Sequence, residues 1–89
     1  MAKNKKTHIE QFVINKIKEI RIVKGFSQED IASILDTSRG FIGQIESQNY
    51  SSKYNINHLN TLAIELGVSI KDFFPENPIN IYNKSKKIK

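Results

Sequence analysis

The segment from Gln28 to Glu46, QEDIASILDTSRGFIGQIE, decides the fold of this chain. Ile31 and Leu35 recur at helical spacing, and Ile42 and Ile45 form a second apolar stripe after a polar break. This pattern predicts two short amphipathic helices joined by a tight turn, which is a helix-turn-helix element.

The second of these helices has a polar face that is unusual in composition. Ser38, Arg39, Gly40, Gly43 and Gln44 point away from its apolar stripe. Arg and Gln carry paired donors or acceptors that match purine edges in a DNA major groove; the alternative is that they are solvated surface side chains. Each glycine costs a helix about 1 kcal/mol relative to alanine. The pair therefore indicates either close approach of the helix backbone to DNA or close packing of Gly43 on a neighbouring helix.

Length and composition exclude several classes of protein. With 89 residues the chain is one small domain, and without cysteine it has no disulfide or thiolate metal site. His8 and His58 stand alone, so we expect no metal and no cofactor. No apolar run approaches the roughly 20 residues of a membrane span, and the basic start is followed by an amphipathic segment, which favours a cytoplasmic protein. The sequence contains no nucleophile–base pair and no glycine-rich phosphate loop, so nothing in it indicates an enzyme.

The net charge of +5 lies at the ends of the chain. The first eight and last six residues contain seven lysines and no acid, whereas residues 9 to 83 contain seven basic and nine acidic side chains. Attraction to a polyanion would therefore come largely from the ends, unless these lysines merely keep a small protein in solution.

The chain divides into three parts in this interpretation. We predict a flexible basic N-terminal arm (1–8), an all-α domain of five helices (9–75) and an extended basic tail (76–89). Gly25, Asp36 and Gly67 mark the ends of the first, second and fourth helices, with Asp36 in a turn that requires a positive φ. The fourth helix spans roughly Ile56 to Leu66 with Ile56 facing inward, and a short fifth helix ends near Phe73 and Phe74.

Together these features resemble the Xre/Cro-type helix-turn-helix family of phage repressors and small bacterial regulators. The resemblance runs from about Ile17 to Pro75, about two-thirds of the chain. Its markers are Ile20-Arg21, Gly25-Phe26-Ser27-Gln28, Ala32, Ile42, Ile45-Glu46, Leu59, Leu62-Ala63, Leu66-Gly67-Val68 and Asp72-Phe73-Phe74. The family's usual glycine in the turn is Asp36 here, and its usual Asn-Gly after the glutamate is replaced by a longer loop that begins Ser47-Gln48-Asn49-Tyr50.

The resemblance implies a compact repressor-like fold and a role for particular residues. Arg21 is expected to pair with Glu46 and so to hold the third helix in place. Base contacts are implied at Ser38, Arg39, Gly40 and Gln44, although Ser38 could instead serve only as the helix cap. Phosphate contacts are implied for Gln28. The candidates on the other flank, in the loop, are Asn49, Tyr50, Ser51, Lys53 and Tyr54.

Two functions remain open at this level. The leading one is a sequence-specific regulator of transcription, a repressor, that binds a two-fold symmetric double-stranded DNA operator as a homodimer. The other is an antitoxin or protein–protein module, in which the segment from Ile79 to Tyr82 binds a toxin or another enzyme and the helix-turn-helix serves autoregulation. The same segment could instead dock on the domain itself, pair with a second copy, or fray.

Overall fold

The computed structural model describes residues 5–81, and these form four α-helices and a single turn of 3-10 helix. The described part of the chain contains no β-strand. The α-helices are α1 (His8–Val23), α2 (Gln28–Leu35), α3 (Arg39–Glu46) and α4 (Ile56–Leu66), and the 3-10 helix is Ile70–Phe73. The all-α prediction is therefore confirmed, but the predicted fifth α-helix is wrong. Its four residues make only one tight turn, because Phe74 and Pro75 follow at once.

Local signals in the sequence set the ends of these helices. Ser27, Ser38 and Asn55 each accept a hydrogen bond from a backbone N–H in the first turn of the helix that follows. Gly25 and Gly67 adopt left-handed backbone conformations after α1 and α4. Residues with these preferences therefore fix where each helix begins and ends.

The turn between α2 and α3 depends on one strained residue. Asp36 has φ 57° and ψ 50°. Among residues 5–81, it is the only residue other than glycine that has a positive φ. Aspartate tolerates this left-handed conformation better than most side chains. The prediction that this turn needs a positive φ is confirmed, and the turn sets the angle between the two helices of the helix-turn-helix.

All four helices and the 3-10 helix enclose one apolar core. Its fully enclosed side chains are Ile17, Ile31, Ile42, Ile45, Leu62 and Phe73. α2 packs against both α3 and α4, while α1 contacts α3 and the 3-10 helix. Helix α3 is thus supported by α1 and α2, as a rigid binding element requires.

Two sequence expectations about burial and boundaries are corrected by the structure. Ile56 was expected to face inward, but it is 73% exposed because it occupies the first position of α4, outside the face that Leu59 and Leu62 bury. The N-terminal arm was expected to run to residue 8, but Thr7 caps α1 in a capping box with Glu10, and Lys6 is buried. Residues 1–4 and 82–89, which include Tyr82 and the C-terminal lysines, lie outside the described residues.

Within residues 5–81, no helix combines the length and the apolar character needed to cross a membrane.

Candidate nucleic-acid interface

Helix α3 presents one polar face to solvent and packs the opposite face into the core. Ile42 and Ile45 are completely buried, whereas Arg39, Gly40 and Gln44 are exposed. Successive residues of an α-helix are rotated by about 100°, so these exposed residues share the face opposite the two isoleucines. The structure therefore brings three of the four predicted base-contacting residues together on one surface.

The polar side chains of this face differ in how they are held. Ser38 Oγ accepts a hydrogen bond from the backbone N–H of Phe41 at 3.1 Å, so its hydroxyl caps α3. The Gln44 side-chain oxygen accepts a hydrogen bond from Ser52 Oγ at 3.2 Å, which leaves the amide nitrogen of Gln44 free to donate. The Arg39 guanidinium makes no hydrogen bond or ion pair with the residues that the structure describes. Arg39 and the amide nitrogen of Gln44 are therefore available to an external partner.

Neither glycine of α3 is required by packing inside the protein. A methyl group at Gly40 would lie 3.9 Å from Ser38 Oγ, and one at Gly43 would lie 3.9 Å from the Gln28 side-chain oxygen. Both are ordinary van der Waals distances. Close packing of Gly43 on a neighbouring helix therefore does not explain why this helix contains glycine.

A buried ion pair joins α1 to the end of α3. Arg21 Nε and Nη2 donate to the two carboxylate oxygens of Glu46, each at 3.0 Å, and Arg21 Nη1 donates to the Phe26 carbonyl oxygen at 3.0 Å. The amide nitrogen of Gln28 also donates to Glu46, at 2.9 Å. The pair that the resemblance implied is present in bidentate geometry. It ties together α1, the start of α2 and the end of α3.

Gln28 contacts Glu46 through its side chain and is also the first residue of α2. Its side chain, for which the resemblance implied a phosphate contact, is half-buried and hydrogen-bonded to Glu46, so it does not point freely outward. It nevertheless occupies the first position of α2, where the backbone N–H groups of a helix lack partners within the helix.

The loop between α3 and α4 contains the candidate phosphate contacts of the other flank. Asn49, Tyr50 and Ser51 are exposed, and the backbone N–H of Asn49 is held by Ser47 Oγ at 3.1 Å. Lys53 is exposed but forms an ion pair with Glu10 at 2.8 Å. This hydrogen bond from Lys53 is the main cause that lowers the pKa of Glu10.

Tyr54 does not belong to this surface, and its prediction as a phosphate contact is wrong. The residue is 9% exposed, its hydroxyl oxygen is buried without a hydrogen-bond partner, and its ring meets the edge of His58. Burial, with a smaller effect of the Glu46 charge, raises the pKa of Tyr54 well above its ordinary value. Tyrosine at a loop end can turn either way, and here its ring completes the core beneath α1 and α4.

Two residues of this region escaped the sequence interpretation. Ser52 orients the Gln44 amide, and Lys6 donates to carbonyl oxygens at the C-terminal end of α3. A serine in a polar loop and a lysine in a basic terminal run carry no distinguishing signal in the sequence.

The fold and this surface together define a helix-turn-helix protein of the DNA-binding class. The family described as "Helix-turn-helix domain" matches residues 14–76, more than half of the chain. The crystal structure of the restriction-modification controller protein C.AhdI from Aeromonas hydrophila is similar. It has a TM-score of 0.59 and 25% sequence identity, over 73% of this chain and 94% of that one. No curated protein sequence matches this chain.

The chain belongs to the helix-turn-helix domain family. It is a DNA-binding transcription regulator of the Xre type.

Proposed function

We propose that this protein regulates transcription by binding a specific double-stranded DNA sequence, with α3 in the major groove. The observation that carries the proposal is the polar face of α3. It exposes an unpaired guanidinium and an oriented carboxamide on a helix whose other face is locked into the core. Rigid support of this kind favours base recognition, because a side chain must be held to within a fraction of an ångström to discriminate bases.

The base contacts follow from the chemistry of the side chains. Arg39 can donate two hydrogen bonds to O6 and N7 of guanine, and Gln44 can pair with N6 and N7 of adenine. Ser52 already occupies one lone pair of the Gln44 oxygen, so the carboxamide is preoriented rather than free to rotate. The Ser38 hydroxyl serves mainly to cap α3, and the exposed surface of Ser38 adds to the contact with DNA.

Gly40 and Gly43 support deep docking of α3. A methyl group at either position would fit without a clash inside the protein. The missing side chains therefore make room for a binding partner and not for another part of the protein. A base edge or a sugar-phosphate strand would fill that space. We therefore expect Gly40→Ala to raise the free energy of unfolding by about 1 kcal/mol and to weaken DNA binding.

Phosphate contacts are proposed on both sides of α3. The backbone N–H groups at the start of α2, with Gln28, would bind one strand. Asn49, Tyr50 and Ser51 would bind the other, and Lys53 would join them by exchanging Glu10 for a phosphate.

A homodimer on a two-fold symmetric operator completes the proposal. One small module reads few base pairs, and two modules about one helical turn apart give higher affinity and specificity. The outward face of α4 is the candidate contact, because Ile56 and Ile64 are 73% and 69% exposed and flank Asn60 at four-residue intervals. We assign the role of repressor in the cytoplasm to this dimer.

The test is selection of bound sites from random duplex DNA, with wild type, Arg39→Ala and Gln44→Ala. We expect each substitution to abolish preference at one base pair, at a cost of about 1–3 kcal/mol. Lys71→Ala is the matched control for loss of one positive charge, since Lys71 is exposed on the 3-10 helix, which packs against α1 and α4. It should leave the selected sequence unchanged.

Two results would overturn the assignment. Failure of the wild type to enrich any sequence at low ionic strength would remove sequence-specific binding. A uniform loss of affinity in both α3 variants, with the selected sequence unaltered, would reduce Arg39 and Gln44 to backbone contacts.

A further inference from the structure

Lys6 is buried although it precedes the first helix and belongs to a run of basic residues. It is 7% exposed. Its ammonium group donates to three backbone carbonyl oxygens: Gln44 O at 3.4 Å, Tyr50 O at 2.7 Å and Ser47 O. All three carbonyls belong to the last turn of α3 and the loop that follows, 38 to 44 residues away in sequence.

The chemistry of these contacts is complementary. An ammonium group has three N–H donors, and here it has three acceptors. The last carbonyl groups of a helix lack partners within the helix and carry the negative end of its dipole, so a cation placed there is favoured. Burial lowers the pKa of Lys6, as expected for a cation withdrawn from water.

The contact reaches two features of the proposed DNA surface. Gln44 provides both a carbonyl oxygen to Lys6 and a side chain to the polar face of α3. Ser47 and Tyr50 provide the other carbonyls, and the loop they belong to continues into Ser52, which orients the Gln44 amide. Loss of Lys6 would therefore release the end of the helix and the loop together.

We infer that Lys6 is a positioning residue for DNA recognition. It holds the C-terminal end of α3 and the α3–α4 loop in the conformation that reads DNA, and it does not contact DNA itself. Lys6, which precedes α1, is thus part of the DNA-reading unit. This inference rests on the proposed function for its effect on specificity, while its effect on the loop can be measured without DNA.

The experiment compares Lys6→Met with Lys5→Met in the full chain. Lys5 is the adjacent residue, carries the same charge and is exposed, so it controls for the loss of a cation near the interface. Amide hydrogen exchange reports on the loop through the backbone N–H groups of Ser47 and Asn49, which donate to Gln44 O and Ser47 Oγ. Affinity is measured for the selected duplex and for a shuffled duplex at several salt concentrations, at a temperature where circular dichroism shows each variant fully folded.

For Lys6→Met we expect at least about 10-fold faster exchange at Ser47 and Asn49, with unchanged rates in the core of α1 and α4. Affinity for the selected duplex should fall about 10-fold relative to the shuffled one, with an unchanged slope against salt, because no phosphate contact is lost. A residue that only added global stability would not change this ratio in a fully folded protein. Lys5→Met should keep both the exchange rates and the ratio.

Unchanged exchange at Ser47 and Asn49 would overturn the inference, and so would an unchanged ratio in a wild type that binds specifically. A shallower salt slope for Lys6→Met would also overturn it, by showing a direct phosphate contact. If the wild type shows no sequence preference, the proposed function fails and the exchange rates alone decide whether Lys6 holds the loop. If Lys6→Met does not fold, Lys6→Ala replaces it, since it also removes all three N–H donors, and the same criteria apply.

Discussion

Breaking the ion pair between Arg21 and Glu46 should cost this domain most of its stability. The side chains of Arg21 and Glu46 are only 11% and 4% exposed. Arg21→Met would leave the Glu46 carboxylate buried with Gln28 as its remaining donor. Stranding a buried charge in this way costs about 3–5 kcal/mol.

This loss is large in comparison with the stability of a small domain. Proteins in general are stable by about 5–15 kcal/mol, and domains of this length lie toward the lower end. Arg21→Met should therefore populate the unfolded state measurably at 25 °C. Glu46→Leu should cost less, because the guanidinium keeps the Phe26 carbonyl and some access to water.

The double variant separates the pair from its individual residues. With both charges removed, an apolar pair of similar volume should recover much of the loss. The cost of leaving Gln28 and the Phe26 carbonyl without partners would remain, at about 1 kcal/mol each. The two substitutions should therefore be non-additive by at least about 2 kcal/mol.

Urea unfolding followed by circular dichroism measures all three variants. Lys16→Met is the control, since Lys16 forms an exposed i, i+3 pair with Glu19 on the same helix and should contribute less than about 0.5 kcal/mol. Additivity of the two substitutions to within about 0.5 kcal/mol would refute the assignment of a coupled buried pair. So would a loss of less than about 1 kcal/mol for Arg21→Met.

Three further substitutions test individual features. Tyr54→Phe removes a buried hydroxyl that has no partner. It should leave DNA affinity unchanged and raise the free energy of unfolding by up to about 1 kcal/mol; weaker DNA binding would contradict the burial of Tyr54. Asp36→Gly should stabilise by up to about 1 kcal/mol, because glycine adopts a positive φ without strain; a lower urea midpoint would contradict this. Lys53→Met should raise the pKa of Glu10 toward its ordinary value in an NMR titration. Since a lowered folded-state pKa stabilises the protein above the unfolded-state pKa, the variant should be less stable than wild type at neutral pH. The difference should disappear as the pH falls from the ordinary pKa of a glutamate through the lowered pKa of Glu10.

The helix-turn-helix could be predicted from the sequence because its determinants are local. Ser27 and Ser38 as caps, and Asp36 as the residue with positive φ, act on the backbone within a few residues of themselves. The apolar spacing of Ile42 and Ile45 leaves only one way to face α3, so the exposure of Arg39 and Gln44 followed. The sequence does not distinguish the 3-10 helix at Ile70–Phe73 from a short α-helix, because the spacing of its apolar residues is compatible with both types of helix.

What the sequence by itself determined is the four α-helices and the polar face of α3, since helix formation depends on neighbours in the chain. The hydrogen-bond partners of Lys6 and Gln28 and the burial of Tyr54 were decided only by the tertiary structure. Each of these side chains has an apolar part and a polar end, so it is compatible with either solvent or burial. The choice depends on acceptors or apolar surface that come from residues far away in sequence, and only the packed fold brings those together.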